Sequence, residues 1–343
     1  MESLLANLSL GFSVAFSPEN LLFALVGSLV GTLIGVLPGI GPLATVAMLL
    51  PITFYFPPAA ALIMLASIYY GSQYGGSTTA ILLNLPGEAS AVVTCLDGHQ
   101  MAIRGRAGAA LAIAALGSLF AGCVATFILA AAAPSLASMA MLFAPAEYFS
   151  LMVLGLVAAV VLAQGAIVKA VAMIVAGLLL GLVGTDINSG AHRMMLGIPE
   201  LSDGINFVPL TIGLFALPEI VRNLERPPSV SVISAPMSTL WPNREEFRAA
   251  WPAVLRGTGV GAVLGVLPGG GALLSSFAAY SVEKRIAKDP SRFGRGAVEG
   301  LAAPESANNA GVQTSFIPLL TLGLPSNAVM ALIAGALIIQ GIQ

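Results

Sequence analysis

Four short segments interrupt the apolar pattern of this chain with a proline followed by glycine or a polar residue. They are Pro38-Gly39-Ile40-Gly41, Pro86-Gly87-Glu88, Pro268-Gly269-Gly270-Gly271 and Pro325-Ser326-Asn327. Proline removes a helix hydrogen bond and clashes with the preceding turn, while glycine permits backbone conformations closed to other residues, so each segment breaks a helix. A helix start offers unpaired N–H groups and about half a positive charge. The N–H groups of Gly39, Gly41, Gly87, Gly269 and Gly271, with the hydroxyls of Ser77, Thr78, Thr79, Thr314, Ser315 and Ser326, can hold a carboxylate without a buried arginine. Helix packing is the competing role for these hydroxyls. Amide oxygens at Asn84, Asn308, Asn309, Gln313 and Asn327 are hard donors suited to Na⁺. Asn84 and Asn327 lie at the breaks and join the carboxylate set. Glu305, beside Pro304 and ahead of Asn308, Asn309 and Gln313, leads the cation set because an ionisable group in apolar surroundings is costly and usually functional. Glu88 follows it, with a helix-start charge as its simpler role.

The elements that must position these groups follow from composition. The chain has 343 residues, 57% hydrophobic and 9% charged, with a mean hydropathy of +0.93. Soluble domains carry about a quarter charged residues, so the bilayer is the expected solvent. A backbone in lipid must satisfy its own hydrogen bonds, and the apolar runs are too continuous for a barrel, so the expected fold is all-α and polytopic. Candidate spans are 58–75, 107–134, 146–164, 168–185, 205–222 and 296–312. Residues 1–20 lack Lys and Arg and carry a helical stripe of Leu4, Leu5, Leu8, Phe12 and Phe16, which reads as an interfacial segment of the mature protein. A net charge of −2 excludes nucleic-acid binding. Two cysteines, Cys95 and Cys123, and two histidines, His99 and His192, supply neither a disulfide framework nor a closed zinc cage. No HExxH motif, paired aspartates or Ser-His arrangement within apolar segments points to an intramembrane enzyme.

The breaks repeat. Residues 27–43, GSLVGTLIGVLPGIGPL, align without a gap to 257–273, GTGVGAVLGVLPGGGAL, with ten identities in seventeen positions at an offset of 230. The ladder Gly27, Gly31, Gly35 returns as Gly257, Gly261, Gly265. Residues 83–89, LNLPGEA, return as 322–328, LGLPSNA, at an offset of 239, the difference being mostly the polar loop 283–295. Discontinuous helices at matching positions of two repeats point to a transporter's binding site. Polar residues clustered at breaks also favour alternating access over the continuous lining of a channel.

Basic residues set the orientation. None precedes Arg104, and ten of fourteen lie between Arg222 and Arg295. Arg256 and Lys284 bracket one break, so both ends of 257–283 are expected inside. Arms of about thirteen residues reach only ~20 Å of a ~30 Å core, which predicts a re-entrant hairpin. Its counterpart, 21–56, ends in Phe54-Tyr55-Phe56 and fits the opposite face, making the repeats inverted. The expected organisation is an interfacial segment 1–20, a first repeat 21–222, a polar cytoplasmic linker 223–250 and the start of a second repeat 251–343. Because 251–343 lacks counterparts to 107–222, the chain is expected to be a fragment of a longer protein. Asp97, Arg104 and Arg106 are expected to form a cytoplasmic turn.

Residues 35–51 (GVLPGIGPLATVAMLLP), 69–90 (YYGSQYGGSTTAILLNLPGEAS), 96–108 (LDGHQMAIRGRAG) and 303–325 (APESANNAGVQTSFIPLLTLGLP) resemble signature segments of the large membrane subunit of the tripartite tricarboxylate transporters, the TctA family. The resemblance covers nearly the whole chain. It implies a multi-pass subunit in the bacterial inner membrane that is not an enzyme and needs no cofactor. A periplasmic solute-binding protein would deliver the carboxylate, a small membrane subunit would accompany it, and a cation gradient, of Na⁺ or H⁺, would drive import. A tricarboxylate such as citrate is the expected cargo, with a dicarboxylate or aromatic acid as the alternative.

Overall fold

The computed structural model describes residues 2–37, 41–140, 166–186, 191–202, 240–267 and 271–342, with scattered positions between 142 and 221. Gly39, Gly269, most of the candidate spans 146–164 and 205–222, and linker residues 223–239 lie outside the described residues. Helix α1 (Glu2–Ala15) leads to α2 (Pro18–Val36), which Ser17 caps by accepting from the Asn20 N–H at 3.4 Å. Proline at the first helical position loses nothing, because that N–H has no intrahelical partner. After the first break come α3 (Gly41–Leu49) and a 3₁₀ turn, Leu50–Tyr55.

Helix α4 (Pro58–Leu83) is unbroken for 26 residues and ends on Asn84 in the left-handed conformation, φ 55°. The candidate span 58–75 is thus the first part of a longer helix that runs to the second break. Beyond the Pro86 break lie a 3₁₀ turn, Ala89–Ala91, then α5 (Val92–Met101) and α6 (Ala107–Ala140). Helix α7 (Ile167–Gly181) precedes β1 (Gly184–Thr185) and β2 (His192–Arg193), an antiparallel pair and the only sheet among the described residues. Helix α8 (Arg244–Gly265) starts inside the segment read as linker. Asn243 and Glu246 form a reciprocal capping box there, each side chain accepting the other's backbone N–H. Then follow α9 (Gly271–Ile286), α10 (Val298–Thr314), α11 (Phe316–Leu322) and α12 (Ala328–Ile339).

Pro18–Val36 and the continuous helical stretch Ala89–Leu136 are long and apolar enough to cross a membrane. The fold is that of an all-α membrane protein.

Two packings have the same geometry. A Cβ at Gly27, Gly31 or Gly35 would meet the carbonyl oxygens of Met64, Ile68 and Ser72 at 2.6, 2.2 and 2.3 Å, so α2 lies backbone-to-backbone on α4. A Cβ at Gly257, Gly261 or Gly265 would meet those of Ala303, Ala307 and Gly311 at 2.3, 2.2 and 2.4 Å, placing α8 on α10 in the same way. The glycines differ by 230 in number and their partners by 239, the two offsets found in the sequence. Small residues in every turn permit this approach, and lipid supplies no hydrophobic force that could replace it.

The two copies do not pack as separate bundles. One core joins Val46, Leu65 and Ile68 to Val312, Met330 and Ile333; the other joins Ile81, Met101 and Ile113 to Val254, Leu301 and Ala307. Polar ties cross the same boundary. Asp97 is not part of an exposed turn: its fully buried carboxylate accepts the N–H groups of Gly294, Gly296 and Ala297 at 3.1, 2.7 and 2.7 Å and the Tyr280 hydroxyl at 3.1 Å. It fixes α5 against the entry to α10. Arg106, just before α6, forms a two-pronged ion pair with Glu246 of α8. Burial opposes ionisation of Glu246, but hydrogen bonds from Arg106 and the Asn243 N–H outweigh it and hold the carboxyl below its ordinary value.

Candidate functional site

All four breaks lead to one cavity of about 310 Å³. The first break contributes Pro42 and Leu43 at the start of α3, the second Glu88, Ala89 and Ser90, the third Gly271 to Leu273 at the start of α9, and the fourth Asn327 to Val329 at the start of α12. Tyr69 and Gln73 of α4 close one wall. The geometry follows from residue type at each start. Gly41 and Gly271 have φ of +44° and +53°, a region that costs other residues roughly 1 kcal/mol or more. Asn327 caps α12 by accepting the Met330 N–H at 3.0 Å. Its Nδ2 has no hydrogen-bond partner, and neither does the Oγ of buried Ser326. Among the described residues the lining carries no Lys or Arg. Helix starts and the free Asn327 amide make part of this wall suited to an anion, whereas Ser326, expected from sequence as a donor, is buried next to the wall and does not line the cavity.

Glu88 gives the opposite wall a different character. It is the repeat counterpart of Asn327, 239 residues earlier, so corresponding positions hold an acid in one copy and an amide in the other. Behind Glu88 lies a polar cluster buried among helices. Glu88 Oε1 accepts from the Ser90 hydroxyl at 2.5 Å and from Asn308 Nδ2 at 3.3 Å. Glu305, 1% exposed, accepts from the Thr94 hydroxyl through Oε1, and its Oε2 has no partner. Asn308 Oδ1 is also buried and unpartnered. Asn309 Nδ2 donates to Ser118 Oγ at 2.6 Å and to the Glu305 carbonyl at 3.0 Å. Each acid is thus held by the other copy: Glu88 by Asn308, and Glu305 by Thr94.

The structure separates the residues expected from sequence. It brings Gly271, Asn327 and Glu88 to the cavity, keeps Gly41 at the start of a lining helix, and gathers Glu305, Asn308 and Asn309 behind it. Gly39 and Gly269 lie outside the described residues. Ser77, Thr78 and Thr79 do not line the cavity; their hydroxyls donate within α4 to the carbonyls of Gln73, Tyr74 and Gly76 at 3.1, 3.0 and 2.9 Å. Thr314 and Ser315 likewise donate to Ala310 and Gly311 at 3.0 and 2.6 Å, where α10 meets α8. Asn84 is exposed and serves as the left-handed cap of α4. Gly87 is a contact point: its Cβ would stand 2.3 Å from the Gly35 carbonyl, and its N–H points to that of Gly76 at 3.5 Å. Gln313 is half-buried and outside the cluster.

Sequence reasoning missed Gln73, Ser90, Thr94 and Ser118. Ser90 stands two residues after Glu88 and Thr94 one helical turn later, a local signal. Gln73 depends on how α4 meets the second break, where it accepts from Ser90 at 3.2 Å, and Ser118 on how α6 packs against α10.

Residues 21–343 match the tripartite tricarboxylate transporter TctA family. An Agrobacterium vitis protein, described as an uncharacterized 52.8 kDa protein in the TAR-I ttuC' 3' region, is 60% identical over 342 residues, 100% of this chain and 68% of that protein. A second, described as an uncharacterized protein in the TAR-II ttuC' 3' region of the same organism, is 70% identical over 82 residues, 24% of this chain and 34% of that protein. No solved structure matches the chain. With a family match across residues 21–343 and a likeness to one of these relatives over the whole of this chain, the chain belongs to the TctA family of tripartite tricarboxylate transporters.

Proposed function

We propose that this chain forms the large membrane subunit of a secondary transporter of the bacterial inner membrane. In this reading it takes a tricarboxylate such as citrate from a periplasmic binding protein, works with a small membrane subunit and uses a cation gradient to drive import. The single observation that carries the reading is the convergence of the four breaks, three of them helix starts, on a cavity whose described lining has no Lys or Arg. Carboxylate oxygens would meet the N–H groups at the starts of α3, α9 and α12, with Asn327 Nδ2 as a side-chain donor. Reconstituted with both partner subunits, the full-length protein should accumulate a tricarboxylate against its gradient when a cation gradient is imposed. Uptake of a dicarboxylate or aromatic acid alone would move the cargo to another carboxylate, and passive currents beyond carrier rates would replace the carrier with a channel.

Inverted topology belongs to the same proposal. Arg256 Nε and Nη2 reach the Glu283 carboxylate at 2.6 and 2.9 Å, which keeps the outer parts of α8 and α9 side by side. From Arg256 to the break is eleven residues, and from the break to Lys284 thirteen, so at ~1.5 Å each the tip lies ~16–20 Å below that pair, near the middle of a ~30 Å core. Single cysteines at positions 256 and 284 should both react only from the cytoplasm. Reaction from opposite faces would contradict the hairpin and the inverted repeat together.

A further inference from the structure

We propose that Glu88, Glu305 and Asn308 form a Na⁺-type cation site spanning the two repeats, and that the cation there admits the anionic substrate by neutralising Glu88. This rests on the carboxylate reading of the cavity for its second half only.

The cation half follows from unmet charge and unmet lone pairs. Burying a carboxylate costs several kcal/mol unless a charge or enough donors compensate it. Two carboxylates lie in one polar cluster here, and neither takes part in any of the four ion pairs among the described residues. The hydrogen bonds from Ser90, Asn308 and Thr94 all go to an Oε1, and the other polar side chains beside the two acids, Gln73 at Glu88 and Ser77 at Glu305, are neutral. Glu305 Oε2 and Asn308 Oδ1 remain buried without partners, both in residues at most 1% exposed. These are oxygen ligands, with no group of three His, Cys, Asp or Glu among the described residues to favour a transition metal. A hard alkali cation satisfies such a set.

The coupling half follows from position. Glu88 is only partly buried because it also lines the cavity that holds Asn327 and the start of α9. An ionised Glu88 with no counter-charge repels a carboxylate in that cavity, whereas a cation between Glu88 and Glu305 cancels one of their two negative charges and lessens the repulsion. Bound cation therefore favours substrate binding, and bound substrate favours the cation by the same factor. The held-across arrangement, Glu88 by Asn308 and Glu305 by Thr94, makes the site sensitive to that interface.

Purified full-length protein in lipid nanodiscs is titrated with NaCl against choline chloride at constant ionic strength, without substrate, and its thermal unfolding is followed. Saturable stabilisation by Na⁺ is expected, with the half-saturating concentration raised at least tenfold in Glu305→Gln. Absence of a Na⁺-specific shift in the wild-type protein overturns the proposal, whether or not the variant folds, and this result is independent of which substrate the cavity takes. Tricarboxylate binding is then measured with and without Na⁺. In the wild-type protein, replacing Na⁺ by choline should weaken binding at least tenfold; in Glu88→Gln, which has no charge to neutralise, affinity should hardly depend on Na⁺. Equal Na⁺ dependence of the wild type and Glu88→Gln overturns the coupling.

Discussion

Leucine at Gly31 or Gly261 is expected to eliminate most folded protein, whereas leucine at Gly259 is expected to be tolerated. The contrast is set within one helix. A Cβ on Gly261 would stand 2.2 Å from the Ala307 carbonyl oxygen and 2.7 Å from its Cα, and one on Gly31 would stand 2.2 Å from the Ile68 carbonyl. Those atoms are backbone of the facing helix and cannot rotate aside, so α8 must move off α10, or α2 off α4, along the whole contact. Overpacking of this kind costs roughly 3 kcal/mol or more, enough to unfold a marginally stable protein. Gly259 lies two residues away on the opposite side of α8, with nothing within 4 Å of its Cβ position. Leucine there is expected to gain up to ~1 kcal/mol of helix propensity. Yield of monodisperse protein after detergent extraction, with its thermal midpoint, checks all three variants. Equal loss at Gly259 would mean that the sequence, not the close approach, sets the sensitivity.

Alanine at Gly271 should act on substrate rather than on assembly. Its φ of +53° is unfavourable for alanine, and the added methyl would lie 3.1 Å from Asn327 Nδ2. Both effects fall at the cavity: the start of α9 shifts, and the free amide of Asn327 loses its position. A tenfold rise in the substrate concentration for half-maximal uptake is expected, equivalent to about 1.4 kcal/mol of binding, with protein yield within about twofold of normal. A rise of that size in uptake half-saturation, with the cation concentration for half-maximal uptake unchanged, locates the defect at the anion wall. Normal half-saturation would reduce this glycine to a shared kink.

The glycine ladders and the four breaks were legible in the sequence because duplication wrote them twice at constant spacing. Glu88 and Glu305 were legible for a different reason: a charge in an apolar run is expensive and therefore conspicuous. The hydroxyls misled. A serine or threonine within a membrane helix readily donates to the carbonyl one turn back, as Ser77, Thr78 and Thr314 do, and its sequence position near a break says nothing about that choice. Asn84 sits beside Pro86 yet serves as a left-handed cap. Asp97 looked like a loop charge because Arg104 and Arg106 follow it. Only the tertiary placement of residues 294–297 supplies the three N–H groups that let it be buried. Ser118 belongs to this group as well, since nothing local in α6 announces Asn309 across the interface.

The central claim, that the four breaks enclose a carboxylate site, is tested most directly by protection. Single cysteines replace Ala89 and Ala328, which line the cavity from different repeats, in full-length protein lacking Cys95 and Cys123. Maleimide labelling is timed with and without tricarboxylate, in saturating Na⁺. At tenfold excess over the dissociation constant, labelling should slow about tenfold at both positions by mass action, while a cysteine at exposed Gly259 labels at an unchanged rate. Unchanged labelling at positions 89 and 328, under conditions where the same preparation binds the carboxylate, would place the substrate elsewhere and contradict the account.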